Sequence, residues 1–502
     1  MAIKKYFANA DNTITNAFRA SLQSRGVDAN MGAADVLETF SIYGQASSGS
    51  TELSRILINF PVDEIIADRA SGATPEAGKA KFYLNLYNAA TNQTVPRHLY
   101  LSVRAISREW QEGTGLDMAE YKDVVAQGDI GSTWISASST SAWTNMGGDY
   151  HAAPVYSEYF DTGVENLSVD VTSLVEEWIA GTKDKFGVGI HLSASQEAYY
   201  SGSAGADSAN GQLNNLSGSK TSYYTKEFFA RGSEFFFKRP TISVKWDSTK
   251  KDDRGQVYTE SNLLSAADNK NTLYLYNSHN GRLKDIPVVG TGADALTVKI
   301  YNAAAGGSQI TATTPAVITA GRVSKGIYTA SFAIDSTASI GYDRWFNPGL
   351  TQVYHTGNFY IRDRQASTYS SYPNYVTSLT NLRSTYYSHE TARFRFYVRQ
   401  KDWSPTIYTV ATTETDTLII ESSSYQVHRL IDNTVIIPFD TGSDKSTEMS
   451  YDVSGNYFDL SMDLFEPGYS YGLKVSYYDE SVLGYVEQPS VWKFRVEKLE
   501  SQ

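Results

Sequence analysis

Apolar residues alternate with polar residues along most of the chain, which is the pattern of a half-buried β-strand. Phe394, Phe396 and Val398 alternate in this way in "ARFRFYVRQ", and a second run of the same kind is "GLKVSYY". Segments rich in Gly, Asn, Asp and Ser separate these runs, and such residues form tight turns. The pattern predicts an all-β protein.

Helical periodicity is scarce. In "VTSLVEEWIAGT" the side chains of Leu174, Val175 and Trp178 fall on one helical face, and Gly181 is placed where a helix would end. This segment predicts one short helix inside a β domain.

Breaks in the alternation predict the domain boundaries. A strand in "RPTISVKW" ends at Trp246, and the charged, aperiodic segment 248–271 that follows is predicted to be a linker. A second break falls at 363–375, which is rich in Ser and Tyr, whereas the Gly/Ser/Asn-rich segment 201–222 is predicted to be a long loop within the first domain. The predicted domains are residues 1–247, 272–366 and 367–502.

The last segment contains the spacing of a tyrosine corner. In "LFEPGYSYGLKV", Phe465 precedes Pro467, Gly468 makes a turn, and Tyr471 follows four residues after the proline. In fibronectin type III and immunoglobulin-like sandwiches, a tyrosine so placed bonds back to the backbone of the turn. With "KGIYTASFAI" (325–334) as a comparable strand, the two later domains are predicted to be Ig-like β-sandwiches.

Composition narrows the possible functions. The net charge of −12 argues against a nucleic-acid partner, since phosphate contacts require clustered Lys and Arg. The absence of cysteine excludes disulfides and thiol nucleophiles. The first residues, "MAIKKYFANADNTI", contain no apolar signal segment and no membrane-spanning run follows, so synthesis in a cytoplasm and no membrane insertion are expected. The 36 tyrosines favour strands and amphipathic contact surfaces.

Sequence patterns typical of catalysis are scarce. No two histidines lie within one helical turn, so no local metal pair exists; they are His98, His151, His191, His279, His355, His389 and His428. A G-x-G-x-x-A pattern occurs in "PVVGTGADALTVKIYN" (287–302), but a dinucleotide site needs a helix next. The alternation of "ALTVKIYN" predicts a strand, so these glycines are interpreted as a hairpin turn.

Five carboxylates lie around a tryptophan in "SREWQEGTGLDMAEYKD": Glu109, Glu112, Asp117, Glu120 and Asp123. Three interpretations are open for this acidic loop, 109–123. It can be a solvated or structural loop, it can hold a calcium ion through several carboxylate oxygens, or Glu109 and Glu112 can act as an acid/base pair. The spacing is not that of an EF-hand.

A family resemblance covers residues 1–247. The segments that carry it are "DNTI", "NMGAADVLETF", "SRILINFPVDEI", "REWQEGTG", "STWISASSTSAWTNMGGDY", "VDVTSLVEEWIAGTKDKFGVGIHL" and "KEFFARGSEFFFKRPTISVKW". In this order they resemble a DNRLRE-type β-sandwich, the jelly-roll-like module related to family 96 carbohydrate-binding modules. The resemblance implies that Trp110, Trp134, Trp143 and Trp178 are packing residues rather than catalysts, and that the acidic loop belongs to the same framework.

A second resemblance is carried by the segments "GTGLDM…GGDY…FFARGSEFFFKRP", followed by Ig-like segments with "RFYVRQKDWSPTIYTV" and "MSYDVSGNYFDL". Together these segments resemble structural proteins of tailed bacteriophages. This resemblance implies a non-enzymatic virion component, as a head decoration, neck or tail accessory protein. Its expected partners are other virion proteins in a homo-oligomer or symmetric array. No residue is assigned to catalysis, cofactor binding or metal binding, and calcium at the acidic loop is the one cofactor considered.

Two other functions are weighed. The same virion protein can bind a host-surface glycan, with exposed aromatic rings stacking on sugars beside the 201–222 loop. An enzyme such as a polysaccharide depolymerase is the third hypothesis, and it rests on the acidic loop alone, because no long repeat of the β-helix type is visible.

Overall fold

The alternating segments form strands, which confirms the all-β class. In the strand Thr391–Gln400, Phe394, Phe396 and Val398 are buried while their neighbours face outward. The structure is a computed structural model, and it describes residues 2–47, 49–91, 95–116, 131–202, 211–364, 375–401 and 417–498. It divides into two compact units, Ala2–Trp246 and Asp247–Gln502.

The first unit contains thirteen strands in its described residues. These are β1 (Ile3–Phe7), β2 (Ala10–Thr15), β3 (Val36–Tyr43), β4 (Thr51–Asn59), β5 (Lys81–Leu86), β6 (Leu99–Ile106), β7 (Ser136–Ser138), β8 (Ser141–Ala142), β9 (Tyr150–Phe160), β10 (Leu167–Asp170), β11 (Val188–Leu192), β12 (Tyr223–Phe229) and β13 (Thr241–Lys245). Two α-helices, α1 (Val62–Ser71) and α2 (Thr172–Ala180), and a 3-10 helix at Phe236–Lys238 accompany them.

Two antiparallel sheets form the sandwich of this unit. One has the order β1-β13-β5-β10, and the other has the order β12-β3-β4-β11-β6-β9 with β2 added beside β4. Their facing side chains, such as Leu84 and Val103, share one core. The helix predicted in "VTSLVEEWIAGT" is α2. Its Leu174, Val175 and Trp178 join this core, and it ends at Gly181, where φ is +70°.

The outer face of the seven-stranded sheet carries a second apolar layer. Ile14, Leu57 and Ile106 on the strands pack there with Trp134 and Trp143 from the segment before β9. Both faces of the sheet are therefore covered. Of the four tryptophans that the resemblance marks as packing residues, three are buried and Trp110 is half-buried with its ring N–H bonded to the Phe186 carbonyl (2.9 Å).

The second unit contains a further set of strands in its described residues. These are β14 (Val257–Tyr258), β15 (Asn271–Tyr276), β16 (Ser278–His279), β17 (Arg282–Leu283), β18 (Leu296–Tyr301), β19 (Gln309–Ile310), β20 (Ala312–Thr314), β21 (Ile318–Ser324), β22 (Ile327–Ile334), β23 (Ile340–Phe346), β24 (Val353–Arg362), β25 (Tyr375–Leu379), β26 (Thr385–Tyr387), β27 (Thr391–Gln400), β28 (Ser423–Arg429), β29 (Val435–Ile437), β30 (Ser450–Asp452), β31 (Gly455–Ser461), β32 (Ser470–Asp479), β33 (Gly484–Glu487) and β34 (Trp492–Glu497). Short 3-10 helices lie at Asp253–Gly255 and Met462–Leu464.

The strands from β14 to β24 belong mainly to one nine-stranded sheet, whose central order is β14-β24-β23-β18-β21-β22-β15. The predicted strand at 325–334 is β22, and the glycine-rich segment before residue 296 leads into β18 as the alternation predicts. A dinucleotide fingerprint would need a helix at that point. Gly292 begins a turn, since its carbonyl accepts the Ala295 N–H (3.3 Å), but the turn is not that of the predicted hairpin, because β18 pairs with the later strands β19, β21 and β23.

The strands from β25 to β34 form two sheets, β25-β27-β31-β30 and β26-β34-β32-β28-β29, with β33 beside β32. The predicted tyrosine corner is present at the start of β32. The Tyr471 hydroxyl donates to the Glu466 carbonyl (2.7 Å), and its ring packs on Phe465 with 4.7 Å between the ring centroids.

Replacing Tyr471 with phenylalanine is expected to lower the free energy of unfolding of the second unit by about 1 kcal/mol, because the half-buried Glu466 carbonyl loses the hydroxyl that donates to it. Urea unfolding of the full chain measures this change. Tyr478→Phe is the matched control on the same strand, where the ring is partly exposed, and it should leave the midpoint within error. Equal effects of the two changes would contradict a corner hydrogen bond.

The segment that the sequence predicts as a linker is hydrogen-bonded within the second unit. The backbones of Lys250 and Asp252 bond to Tyr451 of β30, at 3.0 and 3.1 Å. Strand β14 pairs in parallel with β24 of the nine-stranded sheet. Residues 250–258, called the strap below, thus join the two parts of this unit.

Candidate functional site

The acidic loop is fastened to the first sandwich by Glu112. Its carboxylate accepts the Asp11 backbone N–H (2.8 Å) and two guanidinium N–H groups of Arg231 (2.8 and 2.7 Å). Glu109 is exposed, and Asp117, Glu120 and Asp123 lie outside the described residues. Because both oxygens of Glu112 are engaged by N–H donors, its described role is structural, which argues against the Glu109/Glu112 acid/base hypothesis.

Asn30 fixes the backbone on both sides of the loop. Its side-chain amide donates to the carbonyls of Glu112 (2.7 Å) and Ser132 (2.9 Å), and its side-chain oxygen accepts the N–H of Gly115 (3.0 Å). A Cβ atom at Gly115 would lie only 1.6 Å from the Asn30 carbonyl oxygen. The glycine is required because the two backbones approach so closely.

Asp11 lies beneath this attachment and is almost completely buried. Burial raises the pKa of Asp11 to about 7, opposed by the N–H of Arg231 and assisted by the charge of Glu112. The folded state therefore binds a proton that the unfolded state releases above its ordinary pKa of 3.8. Stability from this group is complete at low pH and is lost as the pH rises from about 4 to about 7.

Asp11→Asn is expected to flatten that pH dependence, because the amide stays neutral and its oxygen still accepts from Arg231. Hydrogen exchange of peptides from β2 and β4, compared at pH 5 and pH 7.5 after correction for intrinsic exchange, measures it. Glu38→Gln is a useful comparison, since burial also raises the pKa of Glu38 to about 7. An unchanged slope in Asp11→Asn would show that Asp11 does not titrate in this range.

A second cluster with chemically capable groups is sealed in the outer layer of the sandwich. Arg55 makes two hydrogen bonds to Glu197 (3.1 and 2.9 Å), and the His191 ring lies 3.8 Å from the same carboxylate. Burial and the nearby Arg55 lower the pKa of His191 to about 4, so the ring is neutral at pH 7. Trp134 and Tyr150 pack over the guanidinium. A substrate would have to displace this packing.

Sequence reasoning missed a group of phenylalanines in the first unit, of which one is exposed and four are half-buried. The phenylalanine patch consists of Phe7, Phe229, Phe235, Phe236 and Phe237. The rings of Phe7 and Phe236 are 4.9 Å apart, and those of Phe229 and Phe235 are 5.4 Å apart. The Phe235 side chain is 46% exposed. The sequence contains a clue to this patch, since three consecutive phenylalanines cannot all face one core.

Cations surround the phenylalanine patch. The Lys238 amine lies 4.8 Å from the Phe229 ring and 4.9 Å from the Phe235 ring, and the Arg239 guanidinium lies 5.8 Å from Phe236. Exposed aromatic rings beside basic groups are typical of protein-binding surfaces. These features make the patch a candidate surface for packing against another protein.

A smaller aromatic surface lies on β6 and the edge strand β9. The rings of Tyr100 and Tyr159 are 4.8 Å apart and both are nearly half exposed. The His98 ring stacks on Tyr159, and its Nδ1 lies 2.6 Å from the Tyr159 hydroxyl and 3.2 Å from Asp161. This tyrosine platform, residues 98–100 and 159–161, combines aromatic faces with polar groups.

Among the described residues, no group of three or more His, Cys, Asp or Glu side chains is placed to hold a metal ion. Calcium at the acidic loop stays a prediction, because three of its five carboxylates lie outside those residues. Neither of the described α-helices has the length and apolar character needed to cross a bilayer.

No family model and no curated protein matches the chain. Solved structures give distant likenesses. The Yersinia pseudotuberculosis adhesin InvE is 12% identical with a TM-score of 0.15, over 48% of this chain and 56% of the adhesin. The two Ig domains of DIP-gamma are 10% identical with a TM-score of 0.13, over 46% of this chain and 90% of that one. Trypsin-activated α2-macroglobulin from Escherichia coli is 10% identical with a TM-score of 0.15, over 91% and 30%. Likenesses this low assign no function.

Proposed function

We propose that this chain is a non-enzymatic structural component of a tailed-bacteriophage virion, placed as a head decoration, neck or tail accessory protein, and that it acts by packing against other virion proteins. The observation that carries the proposal is the phenylalanine patch. Five partly exposed phenylalanine rings with Arg239 and Lys238 beside them suit a protein interface, where aromatic residues and arginine are enriched. The kind of assembly, a tailed-bacteriophage virion, is inferred from the resemblance of the sequence to structural proteins of such phages.

The environments of the side chains that could act in catalysis support a non-enzymatic role. Glu112 is bound by Arg231, and the Arg55–Glu197 pair is buried under aromatic rings. Both arrangements hold loops onto the sandwich. A protein that braces a symmetric shell needs such rigidity more than it needs an open cleft.

The experiment that tests the proposal is quantitative mass spectrometry of gradient-purified particles from the source lysate, with copies counted against the major shell protein. Hundreds of copies indicate a capsid-covering component, and about a dozen indicate the neck or tail, where symmetry limits the number. A protein absent from purified particles would contradict the proposal.

Phe235→Glu is expected to reduce incorporation into particles by about tenfold or more, because a central aromatic anchor of an interface contributes about 2 kcal/mol or more. The same mass spectrometry, on particles assembled with the variant, measures this. The matched control is Leu263→Glu, which changes a 95% exposed leucine in the second unit and should leave incorporation unchanged. Both variants should melt like the natural chain, since both side chains are solvent-accessible. Normal incorporation of Phe235→Glu would exclude the patch as the interface.

Binding of a host-surface glycan is the second candidate, and the tyrosine platform favours it. Sugar rings stack on exposed aromatic faces, and His98 and Asp161 supply polar groups at its border. A glycan array probed with the protein displayed multivalently tests this, since avidity compensates for weak single sites. Binding that is lost in Tyr159→Ala and kept in Tyr223→Ala, an exposed tyrosine on β12, would support it. An array without signal would remove it.

A further inference from the structure

Lys226 on β12 is a buried lysine with an unusual environment. The residue is 2% exposed, and its amine lies 5.0 Å from the ring centres of both Phe160 and Phe228. The amine also lies 2.8 Å from the backbone carbonyls of Gly163 and Glu165. A lysine amine is thus fixed in one position at the edge of the core.

The side-chain amide of Asn88 meets this amine. The Lys226 Nζ lies 2.5 Å from Asn88 Oδ1, so the amide carbon is one bond away from the atom in contact. Asn88 is itself held, because its N–H donates to Asn166 Oδ1 (2.9 Å) and its backbone bridges to Phe228. Two reactive groups fixed in contact react as if at very high concentration.

We propose that Lys226 and Asn88 join in an intramolecular amide bond, an isopeptide crosslink. The neutral amine of Lys226 attacks Cγ of Asn88, and a new C–N bond forms. The amine transfers a proton to a carboxylate, that proton passes to Nδ2 of Asn88, and the Cγ–Nδ2 bond breaks to release ammonia. The reaction consumes no oxidant, reductant or other reactant.

Glu165 is the residue suited to carry the proton. Its charge acts on the Lys226 amine, and its Oε2 is buried without a hydrogen-bond partner among the described residues. Burial alone would raise the pKa of Glu165, but hydrogen bonds from Thr162 and from the backbone of Gly163 and Glu165 together outweigh it and lower the pKa, so the carboxylate is ionised and free to accept a proton. Burial lowers the pKa of Lys226 to about 8. About a tenth of the amine is therefore neutral at pH 7.

The crosslink would connect the two sheets of the sandwich. Lys226 belongs to β12, at the edge of the seven-stranded sheet, and Asn88 follows β5 of the four-stranded sheet. A chain without cysteine has no disulfide with which to make such a connection. The inference does not depend on the proposed function.

The test is the intact mass of the purified, denatured full chain. We expect a mass about 17 Da below that of the sequence, through loss of ammonia, and a branched peptide joining Lys226 to Asn88 after proteolysis. Lys226→Arg and Asn88→Ala should restore the full mass of their own sequences. Lys220→Arg, which changes a lysine just before β12, should keep the deficit, and Glu165→Gln should slow its appearance in freshly made protein.

Two results would overturn the proposal. One is the natural chain at its full sequence mass. The other is a deficit that Lys226→Arg retains, because the ammonia would then come from another reaction, such as cyclisation of an asparagine before glycine. Both results come from the mass alone, so they hold even where a variant folds poorly.

Discussion

Replacing Asp343 with alanine is expected to lower the free energy of unfolding of the second unit by about 3–5 kcal/mol, which is the cost of leaving a buried charge without its partner. Asp343 on β23 is fully buried, and its two oxygens accept from Arg254 of the strap at 2.7 and 3.2 Å. The Trp345 ring N–H donates to one of the same oxygens (2.7 Å). The change would therefore orphan the indole N–H and take the carboxylate away from a largely buried guanidinium, which keeps only long hydrogen bonds to the Tyr274 and Asn358 carbonyls (3.4 Å each).

The surrounding structure makes room for this ion pair. Gly357 on β24 lies opposite Asp343, and a Cβ atom there would be 2.5 Å from the Arg254 guanidinium and 2.9 Å from the Asp343 carboxylate. Arg254 thus passes through a space that only a glycine leaves open.

Urea unfolding of the full chain and hydrogen exchange of β23 and the strap measure the effect. The informative second variant is Arg254→Met with Asp343→Ala, which removes both charges and should recover part of the loss. Asp459→Asn is the matched control, because the pair of Asp459 with Arg393 is more exposed and should contribute less than about 1 kcal/mol. A loss in Asp343→Ala no larger than that control would mean that the buried pair does not fasten the strap.

The contacts that hold the strap could not be predicted from the local sequence. In "DSTKKDDRGQ" the charges have no periodicity, which is why the segment is predicted to be a linker. Its stabilising contacts come from long range, since Arg254 pairs with a residue 89 positions away and Asp253 accepts from Tyr451 (2.7 Å) 198 positions away. A contact between residues far apart in the chain leaves no local sequence pattern, so the sequence does not show which charged side chains pair.

Features of the fold that depend only on neighbouring residues were predicted well. The alternation of Phe394, Phe396 and Val398, the end of α2 at Gly181 and the corner formed by Tyr471 all depend on residues within a few positions of one another. Strand geometry, the left-handed conformation of a terminal glycine and a short hydrogen bond are consequences of that neighbourhood. The all-β class follows from them.

The candidate site could be predicted only in part. The acidic loop was visible as a cluster of carboxylates, but the attachment of Glu112 to Arg231 spans 119 positions and decides its role. The contact of Lys226 with Asn88 spans 138 positions. The phenylalanine patch could be suspected from "EFFFK", yet its exposure depends on how Phe7 and Phe229 complete it. Residue types suggest chemistry, whereas the fold decides which residues meet.

The outer apolar layer of the first sandwich leads to the second large prediction. Trp134→Ala is expected to lower the free energy of unfolding of the first unit by about 3–5 kcal/mol, the usual cost of truncating a fully buried aromatic side chain. Trp134 is completely buried, and its ring N–H donates to the Gly211 carbonyl (2.7 Å). Its removal would leave a cavity and loosen the segment at Gly211.

Trp134→Phe separates the two contributions of this side chain. The phenyl ring retains most of the packing, and the Gly211 carbonyl keeps a second donor, the Asn16 side-chain amide (2.7 Å). We therefore expect Trp134→Phe to cost clearly less than Trp134→Ala, in urea unfolding followed by hydrogen exchange of β4 and β6. Because Arg55 lies beneath the same ring, Trp134→Ala should also speed exchange around Glu197. Equal costs for the two variants would mean that the hydrogen bond, rather than the packing, holds the outer layer on the sheet.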